Sequence, residues 1–508
     1  MAQASIHAAD PPGGIRPDGS AQAPDSAAVA DPDSKDTLVT GPPAPVADRA
    51  DPLAPRAGPV ERVMSTVIRR LSLSQLSNPK VAVTVSGLGL LLGMVVGATA
   101  PNTETLKIEL PLSHLFPSLG NYDAIAMALL YTGDVLACLG LAGMLWAHSQ
   151  GWRPNPKILL MVSAAIAGIM VCLTPVGSSD TASYAAYGRM SALGGNPYTS
   201  NPLAFLGAHS PYTMVVGTMW KAQPSVYGPF ATIIQSFAAS IGLGNVATTI
   251  WVLMILNGIV FLGVGLLLLL TSDDPVRATL FWTANPVLIL ELVSGGHLDT
   301  LVAAAAIGAI QVARRFTGIW GDVVVGVLIG LACGVKIYAV LIGLGLAFPL
   351  LRDRDWKRIT RMTVVAVATL VLSYSYYGLG AIRPVFGGLK LVTLPSPWRV
   401  FELTGQALGV PQNTMATIIS CLWPFALFIV AWLIYRRISS DQPAEVVAPF
   451  ALTFAWILVA PWVFAWYTAV AWAALTQVPR NRMTRWLTIV TVLLALCLSS
   501  GGHAVPTT

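Results

Sequence analysis

From about Val81 onward the chain is a succession of apolar runs separated by short breaks rich in proline, glycine and charge. A helix needs roughly 17 to 25 apolar residues to cross a bilayer core, and in hydrocarbon only helices and closed barrels satisfy their own backbone polar groups. With 55% hydrophobic and 11% charged residues, the composition falls outside the soluble globular range. The pattern predicts an all-α, polytopic integral membrane protein. Spans are expected near residues 81–100, 124–147, 157–175, 246–270, 278–294, 298–313, 319–335, 336–351, 361–378, 413–435, 446–461, 465–479 and 485–503, about thirteen helices of membrane-spanning type.

The segments before Val81 read differently. Residues 1–60 are rich in Ala, Pro, Asp and Gly and bury too little apolar surface to offset ordering entropy, so a disordered cytoplasmic tail is expected. Residues 61–80 form a basic juxtamembrane segment in which Arg62, Arg69, Arg70 and Lys80 alternate with apolar residues. That pattern suits a helix lying on an anionic inner leaflet and equally a solvated basic stop before the first span. The first apolar run begins only near Val81, so no cleavable signal peptide is expected. Cys138, Cys172, Cys333, Cys421 and Cys497 are scattered singly, without metal-ligand spacing, and read as small buried hydrophobes. The formal net charge of +6 does not imply nucleic acid, because basic residues of membrane proteins collect in cytoplasmic loops.

Topology turns on the apolar stretch 226–243, which reads as a span or as a helix lying along the membrane surface. Leaving it out of the count places, among the loops after residue 270, Arg277, Arg314, Arg315, Arg352, Arg354, Lys357, Arg358, Arg361, Arg436, Arg437, Arg480, Arg482 and Arg485 inside, and only Lys336, Arg383, Lys390 and Arg399 outside. The positive-inside bias selects that choice, with a cytoplasmic N-terminus. Four polar features then share the external side: the large loop 176–245, the turn 294–299, the loop 383–403 and the turn 460–467. Long loops on a rigid scaffold usually carry function.

In the large loop, Ser178 or Ser179 is placed to cap a short helix starting near Asp180. On that helix Asp180, Tyr184 and Tyr187 fall on one face. A carboxylate between two phenols suits a sugar, whose C–H edges stack on aromatic rings; the same Asp180 also suits a purely structural helix start. His297 and Asp299 in SGGHLD emerge at the same face, too few ligands for zinc and as readily a structural pair. Glu291 lies one turn deeper, and Lys336 in GLACGVKIYAV suits either a lipid phosphate or a lysine snorkelling to the interface. Trp398, Trp462, Trp466 and Tyr467 read first as interface anchors.

The sequence holds no GxSxG elbow, HExxH or clear pair of carboxylates of the hydrolase kind. An external site has no ready supply of nucleotide sugars, and a phosphate leaving group needs cations rather than an acid. A sugar carried on a lipid phosphate therefore fits, with a single carboxylate as base.

DTASYAAYGRMSALGGNPY, PSVYGPF and NPVLILELVSGGHLD, in that order, resemble the actinobacterial polyprenol-phosphomannose-dependent α-1,6-mannosyltransferases of the MptA/MptB type, closer to MptB, within the GT-C superfamily. The similarity runs from about Val81 onward. It implies a GT-C transmembrane domain over 81–508, with 176–245 as the active-site loop, in the plasma membrane. The implied activity is inverting transfer of mannose from polyprenyl phosphate β-mannose to a mannan glycolipid acceptor, extending the backbone of lipomannan and lipoarabinomannan, with no cofactor and no divalent metal. Asp180 matches the general base of the superfamily. His297, Lys336 and Arg399 are candidates to hold the donor phosphate, and Tyr184, Tyr187, Arg189, Asn196, Tyr198, Tyr227 and Asp299 to bind sugar. Two other classes fit the same outline: a GT-C enzyme using another lipid-linked sugar such as arabinose or a protein acceptor, and a lipid-linked-sugar transporter or flippase. The latter should show internal hydropathy repeats, and none is visible.

Overall fold

The computed structural model describes residues 77–100, 107–118, 123–384, 391–438 and 442–498. The expected tail 1–60 and nearly all of the juxtamembrane segment 61–80 lie outside the described residues, as does Lys390. Among the described residues there is no strand, and the expected all-α class holds.

A recurring signal starts the helices. Asn78, Asn155 and Asn285 each precede a proline and accept backbone N–H groups of the first turn through their side chains. The asparagine satisfies donors that a helix start leaves orphaned, and the proline needs none. In this way begin α1 (Pro79–Thr99), α3 (Pro156–Met170) and α8 (Pro286–Ser294), with α2 (Asp123–Ser149) between the first two. The large loop contributes α4 (Asp180–Ala192), several short turns and α5 (Pro229–Ile241). There follow α6 (Val246–Thr271), α7 (Pro275–Phe281), α9 (Asp299–Arg315), α10 (Ile319–Cys333), α11 (Val340–Arg352) and α12 (Trp356–Ser375). The last group is α13 (Pro397–Ala407), α14 (Gln412–Arg437), α15 (Ala444–Val459), α16 (Thr468–Leu475) and α17 (Met483–Leu498).

A helix lies at each of the thirteen expected positions, but their lengths differ. Among the described residues α1, α2, α6 and α14 are long and apolar enough to cross a membrane, and α7 with α8, bent by 43°, forms a fifth such unit. Seven further apolar helices have 10–17 residues. The short ones reflect broken segments: Asn285-Pro286 interrupts the α7–α8 unit, and Gly334 with the 3₁₀ turn Ile337–Ala339 separates α10 from α11. The 13 residues of α5 rise about 20 Å, short of the roughly 30 Å hydrocarbon core, and the 13 residues of α11 do the same.

Small residues set the closest helix contacts, as expected where hydrophobic burial cannot drive helices together. A Cβ on Gly89 of α1 would stand 2.7 Å from backbone atoms of Gly133 and Ala137 in α2. Gly188 of α4 meets Gln235 of α5 in the same way, and Gly345 of α11 lies against Pro449 of α15.

Candidate active site

Gly177, at φ 85°, turns the chain into α4, and the Ser178 hydroxyl accepts the Asp180 N–H at 3.1 Å. Because Ser178 meets that donor, the Asp180 carboxylate is left to face the site. Its Oδ2 accepts the Tyr184 hydroxyl, one turn on, at 3.2 Å and lies 3.5 Å from Nδ1 of His297. That nitrogen makes no aligned hydrogen bond, so the contact is a close approach of imidazole and carboxylate. Asp180 remains 21% exposed while His297 is 1% exposed, so the carboxylate is the reachable member of the pair. Burial alone would raise the Asp180 pKa, but His297, the Lys336 charge and the Tyr184 hydroxyl together reverse this and hold it below the ordinary carboxylate value. Burial and the Asp180 charge push Tyr184 well up, so it acts as a donor.

His297 is delivered by the 285–299 motif. Residues 289–294 form a π-turn, whose Leu292 carbonyl accepts from the Asn257 side chain, while Ser294 O accepts the Val176 N–H at 3.0 Å. Gly296, at φ 67°, has no room for a Cβ, which would lie 2.5 Å from Thr181 Cγ2. The turn therefore fits against the start of α4 only with glycine there, and this brings His297 to Asp180. The imidazole lies flat on Trp466, with centroids 3.8 Å apart and planes 11° apart, and Phe464 extends the stack.

A second polar group lies beside the first. Lys336 Nζ contacts Asp299 Oδ2 at 2.6 Å, and the Tyr338 hydroxyl donates to Asp299 Oδ1 at 2.7 Å. Asp299 is fully buried and both its oxygens are engaged, as a buried charge requires. Lys336 also lies over the rings of Tyr467, at 4.7 Å, and Tyr227, at 5.9 Å.

PSVYGPF explains how Tyr227 reaches it. The Gly228 N–H donates to Val335 O, and the N–H groups of Phe230 and Ala231, at the start of α5, donate to Gly334 O. A Cβ on Gly228 would stand 2.3 Å from that same oxygen. Two backbones thus meet directly, and Tyr227 is carried edge-on to Tyr184, with centroids 4.9 Å apart.

Next to these groups is a cavity of about 290 Å³ lined by aromatic and aliphatic side chains, among them Tyr227, Tyr338, Trp456, Trp462 and Tyr467. Lys336 is the one charged residue of its lining among the described residues. The four loops that the sequence analysis places on one side do converge here. Trp466 of the 460–467 turn touches His297, which touches Asp180, while Thr393 and Trp398 of the 383–403 loop bond to the backbone of residues 459–463. Among the described residues, no three His, Cys, Asp or Glu side chains are grouped to hold a metal ion.

The remaining expected site residues lie elsewhere. Arg399 is paired with Glu402 at 2.8 Å and does not line the cavity. Arg189 lies over the Tyr212 ring. The Asn196 amide donates to Tyr377 O, and Tyr198 bonds to Thr232 and packs on Tyr377, so both tie the loop to α5 and to the end of α12. Tyr187 donates to Gln223 O and sits at the margin of the cluster, 6.4 Å from Tyr227. Sequence reasoning missed Tyr338 and Trp456, stacked at 4.2 Å, and gave Trp466 only an anchoring part. A phenol two residues from a buried lysine was the available sign of Tyr338.

Residues 81–352, more than half of the chain, match the family model described as "Alpha-(1->6)-mannopyranosyltransferase, N-terminal domain". The chain belongs to the MptA/B family. Relatives within that family include alpha-(1->6)-mannopyranosyltransferase B of Corynebacterium glutamicum, 26% identical over 341 residues, covering 60% of this chain and 56% of the relative. A probable alpha-(1->6)-mannopyranosyltransferase of Mycolicibacterium smegmatis is 24% identical over 312 residues, covering 58% and 51%. Alpha-(1->6)-mannopyranosyltransferase A of Mycobacterium tuberculosis is 26% identical over 372 residues, covering 65% and 67%. The chain thus spans about half the length of the first two relatives. No solved structure matches it. The family's matched region contains Asp180, His297, Asp299 and Lys336.

Proposed function

We propose that this membrane protein is an inverting α-1,6-mannosyltransferase of GT-C type, working at the external face of the plasma membrane. Polyprenyl phosphate β-mannose is the donor and a mannan glycolipid of the lipomannan and lipoarabinomannan kind the acceptor. The observation that carries the reading is the placement of Asp180: a partly exposed carboxylate, kept ionised by its neighbours and bonded to Tyr184, whose ring packs on Tyr227 in the lining of a cavity that also presents Lys336. Names of the relatives support the sugar and the linkage.

In this mechanism Asp180 accepts the proton of the acceptor 6-hydroxyl as that oxygen attacks the anomeric carbon of the donor. The new C1–O bond forms as the C1–O bond to phosphate breaks, the electron pair leaves on the phosphate oxygen, and β configuration becomes α. Lys336 is the best placed of the three proposed phosphate partners because it lines the cavity. His297 faces Asp180 and serves first to hold the base ionised and oriented. Tyr227, which lines the cavity and is backed edge-on by Tyr184, forms the aromatic wall for the sugar. No divalent metal is required.

The test is incubation of membranes bearing the protein with radiolabelled polyprenyl phosphomannose and a short α-1,6-mannoside. Extension of the acceptor by an α-1,6-linked mannose, lost in Asp180→Asn, is expected. Absence of transfer by the unaltered chain would overturn the reading, and so would arabinose transfer in its place.

A further inference from the structure

The cavity at Lys336 borders a second one, with which it shares two lining residues. Ile337 and Val340 line both it and an apolar groove of about 230 Å³ between α10, α11 and α12. The groove's walls are Ile329 and Cys333 of α10, Leu344 and Ala347 of α11, and Met362 and Leu370 of α12. Its origin is a competition between helix contacts. Gly326 and Gly330 bring α10 so close to α12 that a Cβ on either would stand within 2.8 Å of α12 backbone or side-chain atoms. On α11, Gly345 does the same against Pro449 of α15. Since α11 is drawn toward α15 while α10 and α12 clasp each other, a cleft is left between them. Its rim residues Val340, Leu344 and Val367 are 42%, 43% and 53% exposed, so it opens sideways. The α12 residues that line it run from Ile359 to Leu370, a rise of roughly 17 Å.

We infer that this groove takes the isoprenoid tail of the lipid-phosphate donor, with the first units beside Ile337 and Val340 and the phosphate at Lys336. The inference rests on the lipid-phosphate donor reading above. A tail is favoured over a loose bilayer acyl chain because Ile337 and Val340 border both the groove and the cavity that presents Lys336, the only charged residue of that cavity's lining among the described residues. A chain covalently joined to a phosphate is the ligand that fills both at once.

Ala347→Trp fills the groove away from the cavity. It is expected to raise KM at least tenfold for a long-chain polyprenyl phosphomannose and to leave a two-isoprene donor unaffected. Leu372→Trp, on α12 but 72% exposed and outside the groove's lining, should change neither. A diazirine on the tail of a long-chain polyprenyl phosphate should label peptides of α11 and α12, and unlabelled polyprenyl phosphomannose should compete. Equal effects of Ala347→Trp on both donors, or labelling that a fatty-acyl probe matches and the donor does not reduce, would overturn the inference. Competed labelling by a protein that transfers no mannose would uphold the groove and overturn the mannosyltransfer reading instead.

Discussion

His297 and Asp180 meet at 3.5 Å although they open different helical segments, and the meeting depends on a glycine turn seated against the start of α4. The carboxylate is thereby ionised at neutral pH and down through the ordinary carboxylate range, since its pKa lies below 3.8. A base must be deprotonated, so the acidic limb of kcat/KM is expected below that value. Burial is the leading influence on Asp180 and raises its pKa. Removing the opposing imidazole in His297→Gln therefore shifts the acidic limb upward, while Asp180→Asn lowers kcat by about 10²–10⁴-fold at every pH. The check is a pH profile of transfer for the three proteins. An unmoved limb in His297→Gln would show that the imidazole does not tune the base.

Lys336 and Asp299 form a buried pair, the carboxylate also bonded to the Tyr338 hydroxyl and the ammonium lying over the Tyr467 and Tyr227 rings. Asp299→Leu or Lys336→Met alone is expected to cost about 3–5 kcal/mol by stranding the partner. The double variant should cost clearly less than the sum, which denaturant unfolding in detergent measures as a coupling energy. Transfer should vanish in both variants that lack Lys336.

Much of this arrangement is legible in the chain. Helix positions follow from apolar run length, and the Asn-Pro starts follow from capping chemistry, because both are local. Asp180 with Tyr184 is also local, one turn of helix apart. The pairing of Asp299 with Lys336 is not, because nothing in either neighbourhood states which distant charge will be left to satisfy the other. Arg399 looked free for the same reason, although Glu402 three residues on is the kind of helical partner that sequence spacing can disclose. Asn196 and Tyr198, named as sugar-binding candidates after the resemblance, make hydrogen bonds to Tyr377 and Thr232, partners that local spacing does not disclose.

Trp466 supports His297 through a near-parallel stack. Trp466→Leu removes that platform without touching Asp180, so the imidazole is expected to lose its orientation. The acidic limb should then move upward as in His297→Gln, with kcat reduced about tenfold or more, and Trp466→Phe should restore most of both. A profile with normal shape and only lower stability would assign Trp466 to packing alone.

Gly228 is the point at which α5 is fastened to the segment carrying Lys336. A methyl group there would meet the Gly334 carbonyl oxygen at 2.3 Å, and that oxygen accepts from Phe230 and Ala231 at 2.8 and 3.1 Å. Since the obstacle is backbone, it cannot swing aside like a side chain, and the start of α5 must retreat with Tyr227. Gly228→Ala is therefore expected to cost about 1–3 kcal/mol of stability and to reduce transfer at least tenfold, with the donor KM raised. Gly168 provides the contrast: it lies within α3 and has open space where a Cβ would go. Gly168→Ala should be neutral or stabilising by up to about 1 kcal/mol through helix propensity. Parallel unfolding and transfer measurements on the two alanine variants distinguish a local clash at the site from a general intolerance of added methyl groups.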